Sequence, residues 1–176
     1  AEHIIKNRIT FPGIRTEDGK KEGFSIDKGL WRHYPDYYYE RYDDPAFPGD
    51  KKLPFWQRAS AGTTWDISHG RRLFYVLQSM EKARNATGIQ FPDPMVLKNL
   101  GNQFYYRVWQ PDSMRFTNYL NGNNGWYRVG YHGEGTGTPP WSLSLAALEG
   151  GWLFLDAYNP LINKMKQPLL QMVINR

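Results

Sequence analysis

The chain contains no cysteine. Disulfide frameworks, thiolate metal sites and cysteine nucleophiles are therefore excluded. The absence suits an oxidising compartment, and a secreted or periplasmic location is the expectation. No apolar run of about 18 residues occurs, so no membrane-spanning helix is expected. Blocks of like charge are also missing. Basic and acidic residues interleave, and "DGKK" and "GDKK" are turn-like clusters rather than a nucleic-acid arm. With no basic stripe, nucleic acid is not the expected partner.

What is present is a chain of 176 residues, enough for one domain with a real core. It begins at Ala1-Glu2, as a processed product or a piece of a longer protein would. Formal net charge is +5 and the isoelectric point is near 9.3. A basic surface attracts anions in general, acidic polysaccharide included. Aromatic residues make up 16% of a chain whose mean hydropathy is only −0.67, so many rings belong either to a core or to a binding surface.

Residues 1–65 read as an irregular, aromatic-rich strap. Pro, Gly, Asp and Tyr recur, and "GLWRHYPDYYYERY" is dense in rings. Those rings pack on the domain or face a sugar or protein partner. Helical period starts at "WDISHGRRLFYVLQSMEKARNATG", where Asp66 or Ser68 caps the first turn. Leu73, Leu77 and Met80, with Phe74 and Val76, form its apolar stripe, and Gly88 stops it. A second helix starts at Asp93-Pro94 and turns Leu97, Leu100, Phe104 and Val108 inward. Residues 111–140 then run without helical period, a long loop for a compact domain. "GWYRVGY" within it is strand-like. A third, nearly all-apolar helix is expected from Pro140-Trp141, with Trp141, Leu145, Leu148, Trp152 and Leu155 on one stripe. Asn159-Pro160 restarts the chain into a fourth helix, which Pro168 should kink or shorten. The reading for 66–176 is therefore mostly α: two antiparallel helical hairpins, 66–110 and 140–176, joined by the Gly-aromatic loop.

"TTWDISHGRR" at a helix start resembles the Asp-Ile/Val-Ser-His segment of (α/α) toroid proteins that act on carbohydrate, among them polysaccharide lyases, uronate epimerases and glycosidase-like proteins. "YHGEGTGTPPWSLSLAALEGGW", running into a buried helix, is similar to their scheme as well. The resemblance covers about residues 55–176. It implies hairpins stacked in a ring, with long loops at one end forming a cleft for polysaccharide. A closed ring needs more than two hairpins, so the chain is a fragment of a toroid or a different small helical fold. By position, the resemblance carries over Asp66 and His69.

The loop holds the densest chemical cluster: Arg128, Tyr131, His132 and Glu134. Proton abstraction beside a uronate carboxylate needs a group to neutralise that carboxylate, a base for the C5 proton and an acid for the leaving oxygen or opposite face. Arg128 or Asn124 suits the first role, His132 or His69 the second, Tyr131 the third. Glu134 can instead pair with Arg128, or serve as a hydrolase acid with Asp66 as partner carboxylate. The simpler account is a packed loop in which Trp126, Tyr127 and Tyr131 are anchors. Candidate rings for sugar stacking are Trp126, Trp141, Trp65, Trp31 and Tyr37 to Tyr39, whereas Trp152 belongs to the core. "GEGTG" lacks the Lys-Ser/Thr of a phosphate loop, and nucleotide binding is rejected. No metal-ligand spacing stands out, and no cofactor is expected. The rival class is a non-catalytic structural protein that assembles with other chains, or with a missing part of its own, through apolar helix faces and the aromatic strap.

Overall fold

The computed structural model describes residues 9–26, 64–128 and 136–174, with side chains given as far as Gln171. Helix dominates, accompanied by short strands. Near the N-terminus, β1 (Ile9–Thr10) pairs antiparallel with β4 (Ser25–Ile26) around a tight hairpin of β2 (Gly13–Thr16) and β3 (Gly19–Glu22). Part of the stretch expected to be irregular is thus sheet. These strands are two to four residues long, too short to show an alternating pattern. Their turn is legible in "EDGK": Gly19 sits at φ 124°, and the Thr16 hydroxyl donates to the Asp18 carboxylate at 2.7 Å.

Helix α1 (Ile67–Lys82) starts where expected. The Asp66 carboxylate accepts from the amides of Ser68 and His69, both at 3.0 Å. Its inner face is Ile67, Gly70, Leu73, Phe74 and Leu77. Val76 is exposed, outside that stripe. A short helix α2 (Arg84–Thr87) follows and ends on left-handed Gly88. Helix α3 (Pro94–Gln103) is capped by Asp93, carries Pro94 in its first turn and continues into a π-helical turn at Phe104–Val108. Leu97, Leu100, Phe104 and Val108 are all buried, as their spacing requires. Then β5 (Trp109–Gln110) pairs with β6 (Arg115–Phe116).

The expected third helix is broken. Only α4 (Ser144–Glu149) is α-helical, and a 3-10 helix spans Trp152–Ala157. Leu145 is exposed rather than on a buried stripe. The cause is Gly150-Gly151: Gly151 has φ 85°, and a Cβ there would lie 2.1 Å from the Tyr75 hydroxyl. Helix α5 (Leu161–Ile174) runs through Pro168 without stopping and buries Ile162, Met165 and Leu169. Asn159 starts it, accepting from Leu161 N at 3.0 Å while donating to Lys98 O and Asn102 Oδ1 at 2.8 Å each. That ties α5 to α3. Gly101 permits the approach, since a Cβ would sit 2.6 Å from that of Asn159.

One main core joins these parts. Trp152 stacks on Phe104 with centroids 4.7 Å apart and planes 8° apart, and Phe104 stacks in turn on Phe116 at 5.3 Å. The Trp152 indole N–H donates to Ile67 O at 2.9 Å. The 3-10 segment is thereby fastened to the first turn of α1, where the candidate site begins.

Candidate functional site

The segment before α1 is held by the long loop. Leu120 N donates to Trp65 O at 3.0 Å, and Ile67 N donates to Asn118 O at 2.9 Å. Asp66 and Tyr119 form an antiparallel bridge. Asn118, fully buried, then organises the loop: its amide donates to Gly125 O and Pro139 O, and its oxygen accepts from Leu143 N. Tyr127 and Thr138 pair as a second bridge, so the "GWYR" stretch is locally strand-like.

This scaffold brings Tyr127 and Arg128 onto His69. The Asp66 carboxylate is fully buried and lies 3.0 Å from His69 Nδ1. It also accepts from the Ser68 hydroxyl. The Tyr127 hydroxyl is 3.0 Å from the same Nδ1, and an Arg128 guanidinium nitrogen is 3.4 Å from Nε2. A carboxylate only accepts and a guanidinium only donates, so this pattern assigns the imidazole proton to Nδ1 and leaves a lone pair on Nε2. The His69 side chain is 28% exposed. Arg128 also lies over the Tyr127 ring, 5.2 Å from its centroid. Arg128 adopts φ 55°, a left-handed conformation that costs a non-glycine residue about 1 kcal/mol or more.

Chemically, the cluster is an imidazole oriented by a buried carboxylate on one ring nitrogen, with the Arg128 cation at the other. It suits removal of a proton from a carbon next to an anionic group.

Of the residues expected to act here, His69, Asp66 and Arg128 meet. Asp66 is sealed from solvent and reaches a ligand only through His69, so direct substrate contact, or service as a second hydrolase carboxylate, does not fit its position. Asn124 uses its amide oxygen on Asn118 N (3.2 Å) and Trp141 N (2.9 Å), which makes it a loop brace. Trp65 is 4% exposed within the main core, so its ring presents no stacking face. Trp126 and Trp141 are half-buried, and Trp126 O accepts from the Tyr119 hydroxyl at 2.9 Å. Tyr131, His132, Glu134, Trp31 and Tyr37 to Tyr39 lie outside the described residues.

Sequence reasoning treated Tyr127 as a packing anchor. Its 4% exposure agrees with packing, but its hydroxyl belongs to the His69 cluster. Its place beside Arg128 was the available signal. Asn118 carried none, because its partners are far along the chain.

A second feature lies beyond the C-terminal end of α3. A cleft of about 760 Å³ is lined by residues including Arg15, Tyr105, Tyr106 and Lys164. Burial pushes the Tyr106 phenol above its ordinary value, with Asp18 adding to the effect. Among the described residues, no group of three or more His, Asp or Glu side chains is placed to hold a metal ion. No described helix is long and apolar enough to cross a membrane.

Comparison with protein-family models finds no match, and neither the curated proteins nor the solved structures contain one.

Proposed function

We propose that the protein engages an acidic oligosaccharide at the His69–Arg128 surface and acts on its uronate unit as a lyase or epimerase. The observation carrying this reading is the buried Asp66 carboxylate at His69 Nδ1, with Arg128 at the opposite ring nitrogen. In this reading Arg128 binds the uronate carboxylate and so acidifies the adjacent C5 proton. His69 Nε2 takes that proton. For elimination, the C5–H electron pair becomes the C4=C5 double bond, the C4–O bond breaks, and the departing oxygen takes a proton. For epimerisation, the proton returns to the opposite face. Tyr131 is the candidate for the acid. Half-buried Trp126 and Trp141 flank the loop as stacking rings. The helical part is read as a portion of an (α/α) toroid, and the protein as secreted or periplasmic.

The test is ultraviolet absorbance of unsaturated uronate, together with proton exchange at C5, over a panel of acidic polysaccharides. Activity on at least one member is expected, with His69→Gln slower by about a hundredfold or more. A silent panel, or an unaffected His69→Gln variant, would falsify the assignment.

Leu145, Phe154 and Leu170 favour a second reading. They are 60%, 59% and 55% exposed, a large apolar investment for surface positions. In that reading the protein is a non-catalytic partner of other chains. Native mass spectrometry separates the two: a monomer that captures no second chain counts against assembly.

A further inference from the structure

Tyr127 is 4% exposed and packs with Tyr119 and Leu143, where packing alone calls for a ring and no hydroxyl. A hydroxyl sealed at such a position costs stability unless it is bonded. Here the oxygen lies 3.0 Å from His69 Nδ1, on a side chain 58 residues away in sequence. The backbone at Tyr127 is held on both sides: its N donates to Thr138 O at 2.9 Å, and Thr138 N donates to its O at 2.7 Å. The Arg128 guanidinium lies over the same ring, 5.2 Å from its centroid. One braced side chain therefore touches both groups of the cluster, the imidazole with its hydroxyl and the guanidinium with its ring.

We propose that Tyr127 is a positioning residue with two separable tasks: its hydroxyl fixes the plane of the His69 imidazole, and its ring fixes the Arg128 guanidinium. Only the kinetic consequences rest on the lyase or epimerase reading. With the ring proton on Nδ1, the Asp66 carboxylate accepts it at 3.0 Å and the phenol oxygen is a second acceptor at the same distance. A single hydrogen bond lets an imidazole swing about it. Two acceptors from different parts of the chain, the cap of α1 and the loop, define the ring plane. The guanidinium is held by its attraction to the aromatic face, with one nitrogen 3.4 Å from His69 Nε2. In a uronate the carboxylate carbon is bonded directly to C5. A cation and a proton acceptor serving those neighbouring atoms need a short, constant separation, and a residue touching both sets it. The hydroxyl therefore governs turnover, and the ring governs affinity for the anion.

The test compares the full native chain with Tyr127→Phe, which removes the hydroxyl and keeps the ring, and with Tyr127→Leu, which removes both. Nuclear magnetic resonance relaxation of the free proteins reads the order of the His69 ring C–H bonds and of the Arg128 Nε–H bond. In Tyr127→Phe the His69 ring should become less ordered while Arg128 keeps its native order. In Tyr127→Leu both should loosen. On the acidic polysaccharide that the native chain turns over, Tyr127→Phe should lose about tenfold in kcat with KM unchanged within about twofold. Tyr127→Leu should raise KM as well. A Tyr127→Phe variant whose His69 ring is as ordered as in the native chain overturns the proposal, and so does one in which KM rises as much as kcat falls. If no polysaccharide is turned over, the lyase or epimerase reading falls, and the order of His69 and Arg128 in the free proteins still decides for or against the positioning role.

Discussion

Asp66 serves the helix and the site with one carboxylate. It satisfies the orphan amides of Ser68 and His69 and holds the imidazole of His69 in one tautomer. An amide at this position caps almost as well but carries no charge to stabilise an imidazolium. Asp66→Asn should therefore keep its melting temperature within a few degrees and, on the proposed function, lose about a hundredfold in turnover. Asp66→Ala should lose the cap too, about 1–2 kcal/mol by denaturant titration. Both caps and the Gly88 stop were legible in the sequence because capping is local: the residue type and its neighbours suffice. Tyr127 and Asn118 were not legible in their roles, because those roles exist only when the loop folds back onto residues 65–67.

At the scale of elements, the helix that breaks is the most instructive. The apolar spacing from Trp141 to Leu155 is helical, yet Gly150-Gly151 overrides it. Periodicity describes which side chains are apolar and says nothing of a backbone that turns left-handed to admit Tyr75. The Tyr75 hydroxyl donates to Gly150 O at 3.1 Å. Gly151→Ala should lower stability by about 1 kcal/mol or more, seen as a reduced denaturation midpoint, since both the φ and the space oppose a methyl group. Pro168 gives the opposite lesson: α5 passes through it, with Met165 and Leu169 buried on either side. The β2–β3 hairpin has its own pH response. Bonds from Thr16 and Lys21 hold the Asp18 carboxyl below its ordinary value of 3.8. A depressed value favours the folded hairpin above the ordinary carboxylate range and loses that support as acid protonates Asp18. Amide protection factors within Gly13–Glu22, corrected for intrinsic exchange, should fall on acidification before those of α1 do, and Asp18→Asn should remove the dependence.

Over the whole molecule, the aromatic stack from Trp152 through Phe104 to Phe116 connects the C-terminal segments to the first turn of α1. Trp152 has no exposed surface, and its N–H is bonded to Ile67 O. Trp152→Ala should cost about 3–5 kcal/mol, a large share of the stability of a domain this size, and should loosen the His69 cluster along with the core. The mostly helical class and the inner face of α3 could be read from spacing alone. The short strand pairs could not, and neither could the arrangement of the loop, since both depend on contacts distant in sequence.

The central claim is that His69, oriented by Asp66 and flanked by Arg128, meets an acidic sugar. The most direct measurement follows the ring nitrogens of His69 by nuclear magnetic resonance during titration with an oligouronate and with a neutral oligosaccharide of equal length. The account predicts a proton on Nδ1 in the free protein and a saturable shift at Nε2 with the oligouronate alone, abolished in Arg128→Gln. A proton on Nε2, or ring signals that respond to neither sugar, would contradict it.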